Sequence, residues 1–230
     1  MDEHLTMQAT QDTLIVSSQQ IFERKMERGK TIMTILQKLI QQAKKPKGFV
    51  GSLMLRIMNK AHKGMNTWLM RQEVIKDGDT VLDIGCGGGN TLRSLSKMNP
   101  SGTIYGIDFS AQAVQESIKT NETDVANGKV IVTQASVSSI PYTNKFFDTI
   151  TAFQTHYFWP DLANDVKEVF RVLKDGGKFI IISELYKIHY HMKAYKTKHE
   201  IQQLFESVGF QTVTIQENTQ KGWLCITGLK

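Results

Sequence analysis

The pattern of apolar and polar positions changes about a third of the way along this chain of 230 residues. Between about positions 12 and 75, apolar residues recur at helical spacing, for example from Ile32 to Ile40, and strand signals are few. From Asp79 onwards, short apolar runs alternate with amphipathic stretches. The pattern predicts a helical N-terminal extension over 1–78, which we expect to act as a lid, and a separate domain over 79–230.

The second region carries seven apolar runs bounded by turn residues, which is typical of strands. These runs lie at 80–84, 103–107, 129–133, 147–153, 178–183, 210–216 and 223–227. Helices are predicted between them at about 90–98, 110–122, 161–173 and 197–207. Nearly continuous apolar strands that alternate with helices indicate a parallel sheet buried on both faces, with right-handed crossovers placing helices on each side.

The last two predicted strands break this alternation. The link from Glu217 to Gly222 is too short for a crossover helix, so we expect these strands to pair antiparallel. The predicted fold class is therefore α/β, a Rossmann-like seven-stranded sheet with helices on both faces, a terminal antiparallel hairpin and a helical N-terminal extension. Such a sheet differs from the symmetric two-half fold of dinucleotide-binding proteins.

Charge and cysteine content narrow the class of protein. The formal net charge is +6, and the 13 Lys and Arg against 7 Asp and Glu ahead of Asp79 account for all of it. Because these charges are spread out, we interpret them as a solvated helical face.

Cys86 and Cys225 lie far apart in apolar runs, which is typical of buried thiols in a reducing cytoplasm. Without an apolar run of about 20 residues or a secretory signal, we expect no membrane segment.

The most informative motif follows the first predicted strand, where Asp83-Ile-Gly85-Cys86-Gly87-Gly-Gly-Asn90 opens a helix. Glycine lets the backbone turn tightly and lets a ligand approach the main chain. A dinucleotide would require a third glycine where Asn90 stands, and its pyrophosphate would be repelled by Asp83. S-adenosylmethionine carries an ammonium and a sulfonium and no phosphate, so the motif favours S-adenosylmethionine as the ligand.

Asp108 ends the second predicted strand, 23 residues beyond Gly85. Its carboxylate can accept two hydrogen bonds from ribose hydroxyls, a feature shared by dinucleotide-binding and S-adenosyl-binding proteins. The competing interpretation is that Asp108 or Ser110 caps the next helix. We expect both functions, with Ser110 as the cap and Asp108 at the ribose.

Together these motifs resemble the class I S-adenosylmethionine-dependent methyltransferases. The resemblance rests on 81–89 and 106–110 and covers roughly residues 79–228. Residues 171–177 resemble the family's segment before its fifth strand, although Asp175 replaces the usual proline. More narrowly, 151–160 together with Asn59, His62 and Trp68 resembles a bacterial subgroup that acts on small molecules. The resemblance implies an enzyme that uses S-adenosylmethionine to methylate a small-molecule acceptor.

The resemblance also implies which residues contact each part of the methyl donor. The methionine end would lie against the glycine loop, at Asp83, Gly85, Cys86 and Gly87. The ribose and adenine would contact the ends of the second and third strands, at Asp108, Phe109, Ser136 and Val137. Gln154, at the end of the fourth strand, would face the sulfonium.

Methyl transfer from a sulfonium is an in-line displacement, so the protein mainly supplies alignment, and a base is needed only when the acceptor must lose a proton. Ligands of open α/β sheets bind outside the carboxyl ends of the strands. We therefore predict His156, Tyr157 and Glu184 as catalytic residues, with His156 as the base. His189 and His191 would share one strand face, but no third ligand is near, so we expect no metal.

Three alternatives compete with this prediction. An RNA methyltransferase would hold phosphates with the basic N-terminal region, but the sequence has no dense Lys/Arg patch. A non-catalytic S-adenosylmethionine-binding module would keep the same glycines and carboxylates. A nicotinamide-dependent oxidoreductase is disfavoured by Asp83, Asn90 and the terminal hairpin. We therefore expect a small-molecule acceptor and neither a nucleic-acid partner nor a membrane.

Overall fold

A computed structural model of the protein describes residues 63–70 and 75–230. The helices in these ranges are α1 Lys63–Met70, α2 Asn90–Met98, α3 Ala111–Thr120, α4 Glu122–Ala126, α5 Leu162–Val172, α6 Leu185–His191 and α7 Lys198–Val208, with a 3-10 helix at His156–Phe158. The strands are β1 Thr80–Ile84, β2 Thr103–Asp108, β3 Val130–Gln134, β4 Phe147–Phe153, β5 Leu173–Glu184, β6 Thr212–Asn218 and β7 Trp223–Leu229. Helices separate β1 from β2, β2 from β3, β4 from β5 and β5 from β6, at the places where the apolar pattern predicts them.

In the described part of the chain, the seven strands form one sheet in the order β3-β2-β1-β4-β5-β7-β6. The first five strands in this order are parallel, with Val81 of β1 lying between Ile104 of β2 and Thr149 of β4. β7 runs antiparallel to both β5 and β6, which confirms the terminal hairpin. The strand order reverses between β1 and β4, and in such sheets a ligand crevice lies outside the carboxyl ends of those strands.

The central strands bury apolar side chains on both faces of the sheet. In β5, Phe179 and Ile181 pack in a large cluster with residues of α5 and α7, while Ile180 and Ile182 pack with Met65 of α1 in a separate cluster. The four β5 side chains are fully buried. Because successive residues of a strand point to opposite faces, apolar residues at both positions require cover on both sides, which confirms the predicted α/β fold class.

Polar side chains define where the helices near the carboxyl edge begin. Ser110 accepts a hydrogen bond from the backbone N–H of Ala113 at 3.4 Å, which confirms its predicted role as the cap of α3. Asp161 caps α5 in the same way through the N–H of Asn164. These caps fix the ends of the loops that follow β2 and β4, where the predicted ligand site lies.

Two sequence predictions about local structure are wrong. His189 and His191 lie in α6, so they do not share a strand face; residues two apart on a helix point in different directions. The turn expected before 178 lies inside β5, which begins at Leu173. Gly176 has a φ of +76°, and the pairing of β5 with β4 shifts register between Phe147 and Thr149, so the strand passes through the bend.

Candidate active site

The loop between β1 and α2 follows a backbone path that glycine adopts far more easily than other residues. Gly85, Gly87 and Gly89 have φ values of +72°, +54° and +80°. A Cβ at Gly85 would lie 2.5 Å from Cγ2 of Thr155, so the chain after β4 packs directly against this loop. Thr155 also donates a hydrogen bond from Oγ1 to the carbonyl of Ile84 at 3.1 Å. Gly85 is therefore required by steric contact as well as by backbone conformation.

Cys86 contributes to the loop through its backbone. Its N–H, like that of Gly85, donates to the carbonyl of Ile107, at 3.1 Å and 2.7 Å respectively. The side chain is buried, and its Sγ lies 3.1 Å from the position that a Cβ at Gly106 would take. Burial raises the pKa of the Cys86 thiol well above its ordinary value. The thiol is thus a neutral packing group beneath the loop.

Asp83 is a buried carboxylate at the carboxyl end of β1, with 1% of its surface exposed. It accepts a hydrogen bond from Oγ1 of Thr151 at 2.8 Å, and none of the ion pairs in the described ranges involves it. Burial, with a smaller contribution from the charge of Asp108, raises the pKa of Asp83 to about 7 against the opposing effect of the Thr151 hydrogen bond. Such a carboxylate favours a cationic ligand.

Asp108 is a second buried carboxylate, at the end of the adjacent strand β2. One of its oxygens accepts from the N–H of Gly87 at 3.0 Å and the other from the N–H of Ser110 at 2.9 Å. Burial raises the pKa of Asp108 although both hydrogen bonds oppose this. Each carboxylate oxygen has two lone pairs, so the group retains capacity for ribose hydroxyls while it holds the glycine loop.

The predicted adenine-side residues lie at the neighbouring ends of β2 and β3. Phe109 is 48% exposed, which is unusual for its type, and its carbonyl accepts from Nε2 of Gln134 at 3.2 Å. Ser136 is exposed and Val137 is buried. The parallel pairing of β2 with β3 brings these residues to one edge of the sheet. An exposed aromatic ring beside this edge offers a surface on which a flat base can pack.

Gln154 follows β4 with a φ of +57° and is 2% exposed. Its Oε1 accepts from the hydroxyl of Tyr157 at 2.8 Å and from the N–H of Glu184 at 3.4 Å. Its Nε2 donates to the sulfur of Met65 in α1 at 3.1 Å. Gln154 therefore joins the ends of β4 and β5 to α1, and it brings two of the three predicted catalytic residues together.

His156 is buried, with 1% of its surface exposed. Its Nδ1 lies 3.0 Å from Oγ of Ser183, while Nε2 has no hydrogen-bond partner within the described residues. Burial lowers the pKa of His156 to about 3. An imidazole with so low a pKa is a weak base at neutral pH, so this environment argues against His156 as the general base and suits a neutral hydrogen-bonding group.

The other two predicted catalytic residues are also engaged by neighbouring groups. The ring of Tyr157 stacks on His191 with centroids 5.3 Å apart, and burial raises the pKa of its hydroxyl above the ordinary value. Glu184 forms an ion pair with Lys187 at 2.7 Å and is partly exposed. Tyr157 is therefore a neutral hydrogen-bond donor, and Glu184 is the more accessible of these two residues.

The structure also identifies site residues that the sequence analysis did not single out. Thr151 donates a hydrogen bond to Asp83, and Thr155 packs on Gly85. Asn121 donates from Nδ2 to the carbonyl of Gly89 at 2.9 Å. A hydroxyl inside the apolar run of β4 was the available signal for Thr151. Nothing in the local pattern marked Asn121, because its partner lies 32 residues away.

The predicted lid is only partly within the described residues. Trp68 of α1 lies beside Trp223, with ring centroids 6.0 Å apart, whereas Asn59 and His62 lie outside the described ranges. Within 63–70 and 75–230, no cluster of His, Cys, Asp and Glu has the makings of a metal site. In the same ranges, no helix has the length and apolar character needed to cross a membrane.

A glycine loop, two buried carboxylates and an exposed aromatic ring at adjacent strand ends fit the donor site of an S-adenosylmethionine-dependent enzyme. Residues 75–224 match the family described as methyltransferase domain. This match covers more than half of the chain, so the protein belongs to that family and is a class I S-adenosylmethionine-dependent methyltransferase.

Individual relatives agree with this family. The chain is similar to an uncharacterised methyltransferase of Bacillus subtilis, YdaC, with 27% identity over 179 residues that cover 76% of this chain and 96% of the relative. It is 32% identical over 115 residues to the demethylmenaquinone methyltransferase of a Geobacillus species, covering 49% of this chain and 48% of that enzyme. The chain thus matches about half the length of this second relative.

A solved structure supports the fold. An S-adenosylmethionine-dependent methyltransferase from Aquifex aeolicus superposes with a TM-score of 0.64 and 19% identity, over 77% of this chain and 97% of that one. At this identity the likeness concerns the fold, and it agrees with the seven-stranded mixed sheet described above.

Proposed function

We propose that this methyltransferase transfers the methyl group of S-adenosylmethionine to a small-molecule acceptor by in-line displacement. One observation carries the proposal: Asp83 and Asp108 are buried on adjacent strands beside the glycine loop, and neither forms an ion pair within the described residues. A cationic donor stabilises the ionised form of both buried acids, whereas the phosphates of a nucleic acid would oppose it, so such a water-poor site favours the cationic donor.

The donor roles follow from the positions of the residues. Asp83, with the backbone of Gly85, Cys86 and Gly87, would hold the methionine end. The carboxylate of Asp108 would accept from the ribose hydroxyls, and the adenine would lie between Phe109 and the pair Ser136–Val137. Gln154 would face the sulfonium with an amide that Tyr157 and Met65 already orient. The bound donor supplies the electrophilic methyl group, so the protein needs to orient it and exclude water.

On the acceptor side, the weak basicity of His156 favours a nucleophile that needs no general base, such as a thiolate or a neutral amine that attacks through its lone pair. His156 would act as a neutral hydrogen-bonding group, with Tyr157 as a donor and Glu184 as the accessible carboxylate. The relative named as a demethylmenaquinone methyltransferase acts, by its name, on a small molecule, which supports a small-molecule acceptor in general.

We also propose that residues 1–78 form a helical lid over a methyltransferase domain of residues 79–230, and that the enzyme is cytoplasmic. Met65 and Trp68 of α1 support the first point, since they contact Gln154 and Trp223 near the carboxyl edge. Deletion of residues 1–45 should leave the domain folded and raise the KM for the acceptor. Loss of the cooperative thermal transition in the truncated protein would contradict this division.

The proposal is tested by measuring S-adenosylhomocysteine release with panels of small thiols, amines and phenols. Turnover with a thiol or an amine, and little with phenols, is the expected result. The second candidate is an RNA methyltransferase, favoured by the net charge of +6 ahead of Asp79. Methylation of RNA with a steep dependence on salt, and no turnover of small molecules, would favour that candidate. Donor binding without turnover of any acceptor would indicate a non-catalytic module.

A further inference from the structure

One face of α5 carries three polar side chains that contact the loop from 135 to 146, which joins β3 to β4. These side chains are Asp165, Glu168 and Arg171, and their spacing of three residues places them along one side of the helix. The loop includes Ser136 and Val137 of the proposed adenine pocket. α5 itself lies outside that pocket in sequence, between the acceptor-side segment and β5.

Arg171 and Glu168 bind the backbone of this loop together. Arg171 pairs with Glu168 through Nε at 2.7 Å and donates from Nη2 to the carbonyl of Ile140 at 3.0 Å. Its Nη1 donates to the carbonyl of Tyr142 at 3.0 Å and to Oδ1 of Asn144 at 2.8 Å. Oε1 of Glu168 in turn accepts from the N–H of Ile140 at 2.8 Å. The pair thus satisfies both polar backbone groups of Ile140 and holds the chain on either side of it.

Asp165 links the same loop to the acceptor side. It is 1% exposed; one oxygen accepts from the hydroxyl of Ser138 at 2.6 Å, and the other accepts from the N–H of Asp161 at 3.1 Å. Ser138 is two residues from Ser136, and its N–H donates to Oγ of Ser136 at 3.2 Å. Two consecutive hydrogen bonds therefore connect a buried carboxylate of α5 to the rim of the adenine pocket.

We propose that Asp165, Glu168 and Arg171 are positioning residues that hold the 135–146 loop against the adenine of the donor. This inference rests on the proposed placement of the adenine beside Ser136 and Val137. Five side-chain hydrogen bonds from α5 reach residues 138–144 within the described structure. A loop held at so many points can keep its donors and acceptors aligned with the edge of a base, and alignment of this kind determines how well a base is discriminated.

The experiment compares the affinity for S-adenosylhomocysteine with the affinity for its inosine analogue, in which a carbonyl replaces the amino group of the adenine. Calorimetry on Arg171→Met and Asp165→Asn gives both constants. The Ser138 hydroxyl and the Asp161 N–H donate to different oxygens of Asp165, and an asparagine has only one oxygen, so it cannot accept both hydrogen bonds in the observed geometry. Lys174→Met is the matched control, because it removes the ion pair of Lys174 with Asp148, which lies at the amino ends of β5 and β4, away from the carboxyl ends where the donor site lies.

We expect Arg171→Met and Asp165→Asn to weaken S-adenosylhomocysteine binding about tenfold and to reduce the adenosyl-over-inosyl preference, while the control changes neither by more than about twofold. Arg171→Lys should recover part of the preference, since it keeps the pair with Glu168. Folded variants that retain the wild-type preference would overturn the inference, even if overall affinity falls. A wild-type protein that binds both analogues equally would contradict the proposed adenine placement, and the inference with it.

Discussion

Replacing Asp83 with asparagine should make the donor-free protein more stable while weakening donor binding. Asp83 is 1% exposed, and burial raises its pKa from the ordinary 3.8 to about 7. The unfolded chain ionises this carboxyl above pH 3.8, whereas the folded protein keeps it protonated until about pH 7. The free energy of unfolding therefore falls as pH rises through this window, and an amide that does not ionise escapes the penalty.

The size of the effect follows from the same values. At 1.36 kcal/mol for each pKa unit, the rise of the Asp83 pKa from 3.8 to about 7 lowers the free energy of unfolding at pH 8 by roughly 4 kcal/mol. Asparagine keeps an oxygen for the hydroxyl of Thr151 but adds N–H donors that lack buried partners, which costs about 1–3 kcal/mol. The net gain at pH 8 is about 1–3 kcal/mol, or a melting temperature higher by roughly 5 °C for a domain of this size.

Thermal unfolding from pH 4 to pH 8 measures this gain, and calorimetry with S-adenosylmethionine measures the expected loss of at least about tenfold in affinity. Asp148→Asn is the matched control. Partial burial raises the pKa of Asp148, but the hydrogen bonds from Lys174 and from the N–H of Thr80, together with the charge of Lys174, outweigh burial and hold the pKa below the ordinary value. This control should therefore lose stability at pH 8. If Asp83→Asn showed no gain that grows with pH, the claim that burial keeps Asp83 protonated would be refuted.

Three further predictions concern the loop, the ribose and the imidazole. Gly85→Ala should reduce S-adenosylmethionine affinity at least about tenfold, because its Cβ would meet Thr155 at 2.5 Å. Gly222→Ala is the control: Gly222 has a φ of +65° and no atom near the position of a Cβ, so this variant measures the stability cost of the backbone conformation alone. Asp108→Ala should weaken donor binding by about 1–3 kcal/mol in calorimetry, and unchanged affinity would remove it from the ribose site. His156→Asn should alter kcat without moving any inflection of the pH–rate profile between pH 5 and 8, since the pKa of His156 lies at about 3. If the variant lost an inflection near pH 6.5 that the wild-type protein shows, His156 would again be the candidate base.

The parts of the fold that were predictable from sequence are those controlled by neighbouring residues. β1 and β4 match the predicted strands at both ends, because each is an apolar run between turn residues. β5 begins five residues earlier than predicted, because it passes through a glycine bend at Gly176 that the local sequence pattern indicates as a strand boundary. α6 was missed altogether, because its seven residues are too few to display a helical period clearly against adjacent aromatic and histidine residues.

The amino-acid sequence by itself determined the class of site. Three glycines after an apolar strand, a carboxylate before them and another at the next strand end are local features, and they point to a cationic nucleoside ligand in any protein that folds them in this order. Only the tertiary structure decided the protonation states, because desolvation is the sum of contacts from several elements. Burial beside β4 and β5 lowers the pKa of the His156 imidazole, whereas burial raises the pKa of the Asp83 carboxyl. Both shifts have the same cause, because desolvation disfavours the charged form of each group.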